Sequence, residues 1–121
     1  MPRRTDMSAA KLSKPKLRES EVLKACMDIL EAHPKVELWW RQNTGSVKFG
    51  KRFVKFSFKG APDLMAVMKG GHQSGKFLSV ECKATGKKMS GEQLEFWLAV
   101  NHAGGYAICV DDPQQLIDFL G

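Results

Sequence analysis

Apolar and polar residues recur along the chain with two different periods. Apolar residues three and four positions apart predict a helix over residues 17–32, where Val22, Cys26 and Leu30 precede the helix-stopping Pro34. Shorter runs that alternate or are wholly apolar predict strands. We predict further helices from Ser90 to Gly104-Gly105 and over 113–120, and strands over 36–41, 46–49, 52–58, 63–68, 77–84 and 106–110.

The same pattern assigns residues to the core. Trp39 and Trp40 point to opposite faces of one strand, and core packing of both requires a sheet covered on its two sides. The second long helix is predicted to turn Leu94, Trp97, Leu98 and Asn101 inward. In the last helix, Asp112 is the predicted N-cap, and Leu116, Ile117 and Leu120 are predicted to face the core.

Length and composition indicate one globular domain. The chain has 121 residues, 43% of them hydrophobic, and no apolar run approaches the ~20 residues of a membrane span. Residues 1–17 are polar and basic and are predicted to form a flexible arm, with one α/β domain over 18–121. Three widely spaced cysteines fit reduced thiols in a cytoplasmic protein.

Basic residues are concentrated in two stretches. The net charge is +6, residues 1–18 carry six basic residues against one acid, and residues 38–62 before Asp63 contain no acid. This distribution favours a polyanion-binding face, although a solvated tail and a half-buried hairpin would have the same composition. The predicted DNA-binding residues are Arg41, Asn43, Lys48, Lys51, Arg52, Lys55 and Lys59.

Chemistry-bearing residues are concentrated between Gly60 and Lys83. Two strands joined by the Gly-rich turn at 70–75 would bring Asp63 to the same end as Glu81 and Lys83, with the Cys82 thiol on the opposite face. Two acids and a lysine at one sheet edge can hold Mg²⁺ or Mn²⁺ for phosphodiester cleavage. The backbone carbonyl of Cys82 is a further candidate ligand. A surface salt bridge between Glu81 and Lys83 is the alternative.

A third carboxylate can come from the start of the first helix. Glu19 lies three residues before Val22 and close to the apolar stripe, whereas Glu21 points well off it. Helix phase therefore favours Glu19 as a metal ligand, although both acids could serve only to complement the helix dipole. Gln93 has the spacing of a capping-box residue with Ser90, which would by itself explain its presence.

These pieces together resemble the VRR-NUC branch of the PD-(D/E)XK nucleases. The resemblance covers residues from about 19 to 110 and rests on an ordered set: Glu19, Arg41-Gln42-Asn43-Thr44-Gly45, Gly60-Ala61-Pro62-Asp63-Leu64, Val80-Glu81-Cys82-Lys83, Ser90-Gly91-Glu92-Gln93 with Trp97, and Gly104-Gly105. One departure is Cys82, at a position that is more often aliphatic.

The resemblance implies a restriction-endonuclease-like core, a mixed β-sheet flanked by helices, with Mg²⁺- or Mn²⁺-dependent nuclease activity. It implies that Asp63, Glu81 and Lys83 are the catalytic core, that Glu19 assists the metal, and that Gln93 sits near the site. Stand-alone members resemble Holliday junction resolvases, which are homodimers that cut branched DNA and often travel with phages. A restriction-type nuclease, an idle DNA-binding module and an RNA nuclease are the alternatives.

Overall fold

The computed structural model describes residues 15–42, 46–55 and 58–121, with the two strands between 46 and 55 described by their backbone. In chain order, its elements are α1 (Glu19–Ala32), β1 (Val36–Arg41), β2 (Ser46–Phe49), β3 (Arg52–Lys55), β4 (Leu64–Met68), a 3₁₀ turn (Gly71–Gln73), β5 (Phe77–Cys82), α2 (Gly91–His102), β6 (Tyr106–Val110) and α3 (Pro113–Leu120).

A mixed sheet of four strands forms the centre of the fold. Its order is β1-β4-β5-β6, and β2 pairs separately with β3 as an antiparallel hairpin. Neighbours are antiparallel except for β5 and β6, which are parallel and are joined through α2. Parallel neighbours need such a crossover, so the helix between them is a requirement of the topology. The predicted mixed α/β class and the basic hairpin are confirmed.

Helices α1 and α3 cover one face of the sheet and build the core. The stripe predicted for α1 is confirmed, since Val22, Cys26 and Leu30 are buried. They pack in one cluster with Leu116 and Leu120 of α3 and with inward residues of the strands: Val36, Leu64, Ala66, Met68, Leu78, Val80, Cys82 and Val110. Alternation along β5 therefore sends Ser79 and Glu81, which are also buried, to the opposite face.

Helix α2 lies over that opposite face, but not with the predicted stripe. Leu94 and Leu98 are 44% and 53% exposed, so their assignment to the core is wrong. Asn101 does face the sheet, where it donates to the Ala107 carbonyl and accepts from the Ala107 amide, both at 3.1 Å. Gln93 also points to the sheet, one position before Leu94. Two polar contacts with the sheet thus set the rotation of α2, and this turns the leucines outward.

Two further core assignments are wrong. Trp40 is 38% exposed and Ile117 is 43% exposed, whereas Trp39 is half-buried against the core. Strand β1 is at the edge of the sheet, and none of the described helices covers its face carrying Trp40. The condition for burying both tryptophans, cover on both sides, is therefore not met. Ile117 lies beside the α3 stripe that Leu116 and Leu120 occupy.

A glycine allows the segment before β4 to lie directly on α2. Gly60 has φ +90°, and a Cβ at this position would be 2.6 Å from the backbone oxygen of Glu92. Nearby, the Lys59 ammonium lies 3.2 Å from the Glu92 carboxylate, and the Phe58 and Phe96 rings are 5.7 Å apart. Residue 60 therefore has to be glycine, because any side chain at this position would collide with the backbone of α2.

We expect Gly60→Ala to lower the free energy of unfolding by about 2 kcal/mol or more, because strain at positive φ is added to a backbone clash. Urea unfolding measures the loss. Gly71→Ala is the matched control, since Gly71 also has positive φ but nothing within 4 Å of an added Cβ. It should cost about 1 kcal/mol. Equal losses in the two variants would show that the contact with Glu92 does not matter.

Candidate active site

Asp63 and Glu81 meet at one edge of the sheet because of the strand register. Leu64 at the start of β4 pairs with Val80 near the end of β5, so the next positions outward are Asp63 and Glu81. The amide of Cys82 donates to Asp63 Oδ2 at 2.8 Å. The amide of Gln42, just after β1, donates to the Asp63 carbonyl at 2.8 Å. Asp63 is thus held by the strands on both sides of it.

The Glu81 carboxylate is buried and receives a side-chain donor from α2. It is 6% exposed, and Gln93 Nε2 donates to its Oε1 at 2.9 Å. The same Gln93 side chain accepts from the Ser90 amide at 2.8 Å, and its own amide donates to Ser90 Oγ. Gln93 therefore caps its helix, as the spacing predicted, and also reaches the site. The cap holds the side chain in place for the second contact.

Lys83 is close to the same carboxylate oxygen. Its Nζ lies 3.9 Å from Glu81 Oε1, and the lysine side chain is 15% exposed. Its amide donates to the Val110 carbonyl at 2.9 Å, which continues the pairing of β5 with β6 past the end of the strand. The prediction that Glu81 and Lys83 share a face is confirmed. The pair is largely buried, so the alternative of a surface salt bridge does not describe it.

The Cys82 thiol lies in the core, on the side away from the acids, as strand alternation predicted. The side chain is fully buried and is in hydrogen-bonding contact with Cys26 of α1. That hydrogen bond and burial strongly raise the pKa of the Cys82 thiol. A thiol held protonated in an apolar core is neither a nucleophile nor a metal ligand. Cys82 contributes to the site through its backbone amide, which donates to Asp63.

Helix phase separates the two acids of α1. Glu21 Oε1 accepts from the backbone and side-chain nitrogens of Arg18 at 3.0 and 3.1 Å. These hydrogen bonds lower the pKa of Glu21 and commit it to the start of its own helix. Glu19 is exposed, and its charge is among those that raise the pKa of Glu81, so it lies on the side of the acidic pair. Of the two, only Glu19 is oriented toward the site.

Thr85 connects the start of α1 to the strand that carries Glu81. The Leu17 amide donates to Thr85 Oγ1 at 2.9 Å, and the Thr85 amide donates to the Leu17 carbonyl at 3.0 Å. Thr85 Oγ1 also lies 3.1 Å from the Asp111 carbonyl. Glu19 follows Leu17 by two residues, so this clamp positions it. Sequence reasoning missed Thr85, because a threonine after a strand carries no distinctive signal.

The two central acids are close enough to compete for a proton. Burial, the negative charge of Asp63 and the hydrogen bond between the two carboxyl groups raise the pKa of Glu81 to about 8, against the opposing effect of Lys83. Like charges in a buried site are stable only if a proton or a cation lies between them. The Glu81 carboxyl group therefore holds a proton at neutral pH when no cation is bound.

The donor set fits a hard divalent cation bound through few protein ligands. In the part of the chain that the structure describes, no three His, Cys, Asp or Glu side chains are grouped closely enough to hold a metal by themselves. Asp63 and Glu81 supply a close pair of carboxyl groups. Mg²⁺ is usually held by one or two carboxylates, with water and substrate phosphate completing its shell. A pair of acids is therefore sufficient for this ion.

The predicted DNA-binding residues are only partly described. Arg41 at the end of β1, Lys51 in the hairpin turn and Lys59 before β4 are exposed. Asn43 lies outside the described residues, and Lys48, Arg52 and Lys55 are on the hairpin strands, where the backbone alone is described. The hairpin connects β1 to β4, so the chain leaves and re-enters the sheet at the edge that carries Asp63.

A pocket of about 370 Å³ lies beside the acids and was not predicted. Lys87, Lys88 and Asp111 line it together with the apolar Met89, Leu94 and Cys109. Cys109 of β6 pairs with Glu81 of β5, which places the pocket next to the buried carboxylate. The adjacent lysines were the available signal in the sequence, and they extend the basic surface to this side of the site.

Comparison of the chain with protein-family models, curated proteins and solved structures found no match. Among the described residues, no helix is long and apolar enough to cross a membrane.

Since Glu81 binds its proton more tightly in the folded than in the unfolded state, the metal-free protein should lose stability as the pH rises from about 4.5 to about 8. The stabilisation from protonated Glu81 is fully present below the pKa that Glu81 has in the unfolded chain, and it is lost above the pKa that Glu81 has in the folded protein. Glu81→Gln should flatten this part of the profile, measured by urea unfolding in chelator. Glu95→Gln, on the exposed side of α2, should leave it unchanged. A parent profile that rises over this range would contradict the prediction.

Proposed function

We propose that this protein is a metal-dependent endonuclease of the PD-(D/E)XK type, in its VRR-NUC branch, that hydrolyses phosphodiester bonds in branched DNA. The observation that carries the proposal is the convergence of Asp63, Glu81, Lys83 and Gln93 at one edge of the sheet. A structural role alone does not explain a buried Glu81 carboxyl group placed next to the carboxyl group of Asp63, since such a pair costs stability.

Asp63 and Glu81 would hold Mg²⁺ or Mn²⁺, and Glu19 and the Cys82 carbonyl are the candidates for further contacts, direct or through water. When bound, the cation would polarise the phosphate and lower the pKa of the attacking water. The proximity of the two carboxyl groups supports this, because a divalent cation would replace the proton on Glu81 and offset its repulsion with Asp63.

The other residues of the site would orient the acids and offset negative charge on the phosphate. The Cys82 amide holds Asp63 Oδ2, and Gln93 Nε2 holds Glu81 Oε1, so each carboxylate is oriented through one of its oxygens. Lys83 would direct the attacking water or offset negative charge that develops on the phosphate, since its ammonium group is already at the site. Preorganised donors of this kind lower the barrier without moving during the reaction.

DNA would approach across the basic hairpin. The hairpin adjoins the acidic edge through β1 and β4, and the exposed Lys51 and Lys59 extend the positive charge along this approach. Lysines and arginines near phosphates supply affinity that is independent of sequence. The preference for branched DNA, with Holliday junctions as the first candidate, comes from the resemblance to stand-alone resolvases.

The described residues of one chain form one such site, and cutting two strands symmetrically needs two. A two-fold homodimer supplies both sites in a fixed relation, so a homodimer is part of the proposal.

Purified protein with Mg²⁺ or Mn²⁺ should cut synthetic four-way junctions in preference to linear duplex. Asp63→Asn and Lys83→Ala should lower the rate by about 100-fold or more, because each removes charge stabilisation at the reacting phosphate. Lys69→Ala is a matched control for the lysine, since Lys69 lies at the other end of β4 and pairs with Glu37. It should cut like the parent.

Three outcomes would contradict the proposal. Absence of cleavage with tight, metal-independent DNA binding would indicate an idle DNA-binding module. Cleavage of long linear DNA at fixed sequences, with no preference for branches, would indicate a restriction-type enzyme. Unchanged cleavage by Asp63→Asn and Lys83→Ala would remove the site from the mechanism.

Gln93→Glu separates the two contacts of this residue. Glutamate also suits the third position of a capping box, so α2 should keep its stability by thermal unfolding. The variant replaces the donor to Glu81 with a further negative charge, and we expect cleavage to fall by about tenfold or more. Gln73→Glu tests the same exchange away from the site, in the 3₁₀ turn at the opposite end of β4 and β5. If Gln93→Glu kept full activity, the contact with Glu81 would be dispensable.

A further inference from the structure

The outer edge of β1 is an open strand edge with exposed apolar side chains. Among the described strands, β1 pairs only with β4, so its other edge has no strand partner. Leu38 is 49% exposed and Trp40 is 38% exposed, and they share one face because they are two residues apart. Natural edge strands are usually protected by charged side chains, proline, short length or a bulge, and β1 has a bulge at Glu37. Its remaining part carries two large apolar groups on the free edge, and these favour association.

The sequence of β1 is self-complementary about Trp39. In an antiparallel pair of identical strands centred on this residue, positions equally far from the centre face each other. Leu38 then faces Trp40 of the second copy, twice by symmetry, and Glu37 faces Arg41 of the second copy, also twice. Both exposed apolar residues and both charges of opposite sign are matched in this single register.

The surroundings of Glu37 agree with this register. The pairing with β4 shifts between Val36 and Leu38, so Glu37 stands at a bulge and its carboxylate reaches Lys69 at 3.2 Å. A cavity of about 540 Å³ opens at this end of β1, and its polar lining consists of Glu31, Glu37, His33 and the Lys69 that pairs with Glu37. An arginine side chain from a second copy would enter it beside these acids.

We propose that β1 is the homodimer interface, formed by antiparallel pairing of β1 with β1 of a second copy of this chain, centred on Trp39. The joined sheet has eight strands, twice the four of one copy. Because the paired strands run in opposite directions, the two acidic sites lie at opposite ends of the joined sheet. The inference rests on the homodimer part of the proposed function and on no catalytic residue.

Charge exchange tests the register. Without metal or DNA, sedimentation equilibrium should show dimers of the parent at or below about 100 µM. Glu37→Arg and Arg41→Glu should each raise the dimer dissociation constant at least about tenfold, because each creates two like-charge contacts. An equal mixture of the two variants should recover parent affinity, since both contacts in the mixed dimer join opposite charges. The double variant E37R/R41E should recover it as well.

Two further variants serve as controls. Lys69→Ala removes the internal partner of Glu37 and should leave the dimer intact. Leu38→Asp should dissociate the dimer, whereas Leu98→Asp, at an equally exposed leucine of α2, should not. Recovery in the mixture also shows that the single variants are folded.

A parent that stays monomeric at about 100 µM overturns the inference. So do single variants that keep the dimer, or a mixture that fails to recover it. Dimers that respond as expected in a protein without cleavage would overturn the proposed activity and leave the interface standing. Cleavage by dimers whose dissociation constant is unchanged by these substitutions would overturn the proposed interface and leave the proposed activity standing.

Discussion

The antiparallel register of β4 with β5 is the constraint that brings the Asp63 and Glu81 carboxyl groups together. Leu64 pairs with Val80, and this one pairing sets Asp63 beside Glu81 and Cys82. A slip of one residue would reverse the faces of a strand, turning Glu81 into the core and Val80 out of it. Val80 is fully buried, and Glu81 accepts a hydrogen bond from Gln93 on the opposite face. Core packing and site geometry therefore select the same register.

Stability and chemistry oppose each other at this edge. A buried carboxyl next to a second one costs free energy in the folded state, which is the physical meaning of a Glu81 pKa near 8. The apolar cluster under the sheet supplies the stability that tolerates it, and Gln93 and Lys83 reduce its cost. Replacement by apolar residues would stabilise many such sites, so the presence of these acids favours a role other than stability.

The sequence predicted those parts that follow from period and chain direction. The hairpin geometry of β4 and β5 brought Asp63 and Glu81 to one end, and helix phase separated Glu19 from Glu21. Contacts between distant segments could not be predicted in this way. The approach of Gly60 to Glu92 and the clamp between Leu17 and Thr85 depend on how finished elements pack. The leucines of α2 were misassigned because apolar character alone cannot show that Gln93 and Asn101 orient the helix.

The hydrogen bond from the Cys82 amide to Asp63 has a spectroscopic consequence. The resonance frequency of an amide proton that donates to a carboxylate changes when that carboxylate is protonated or binds a cation. Because the donor belongs to the backbone, it needs no substitution or attached label. The cross-peak of residue 82 in a proton–nitrogen correlation spectrum is therefore a built-in indicator of the charge state of Asp63, readable in the unaltered protein.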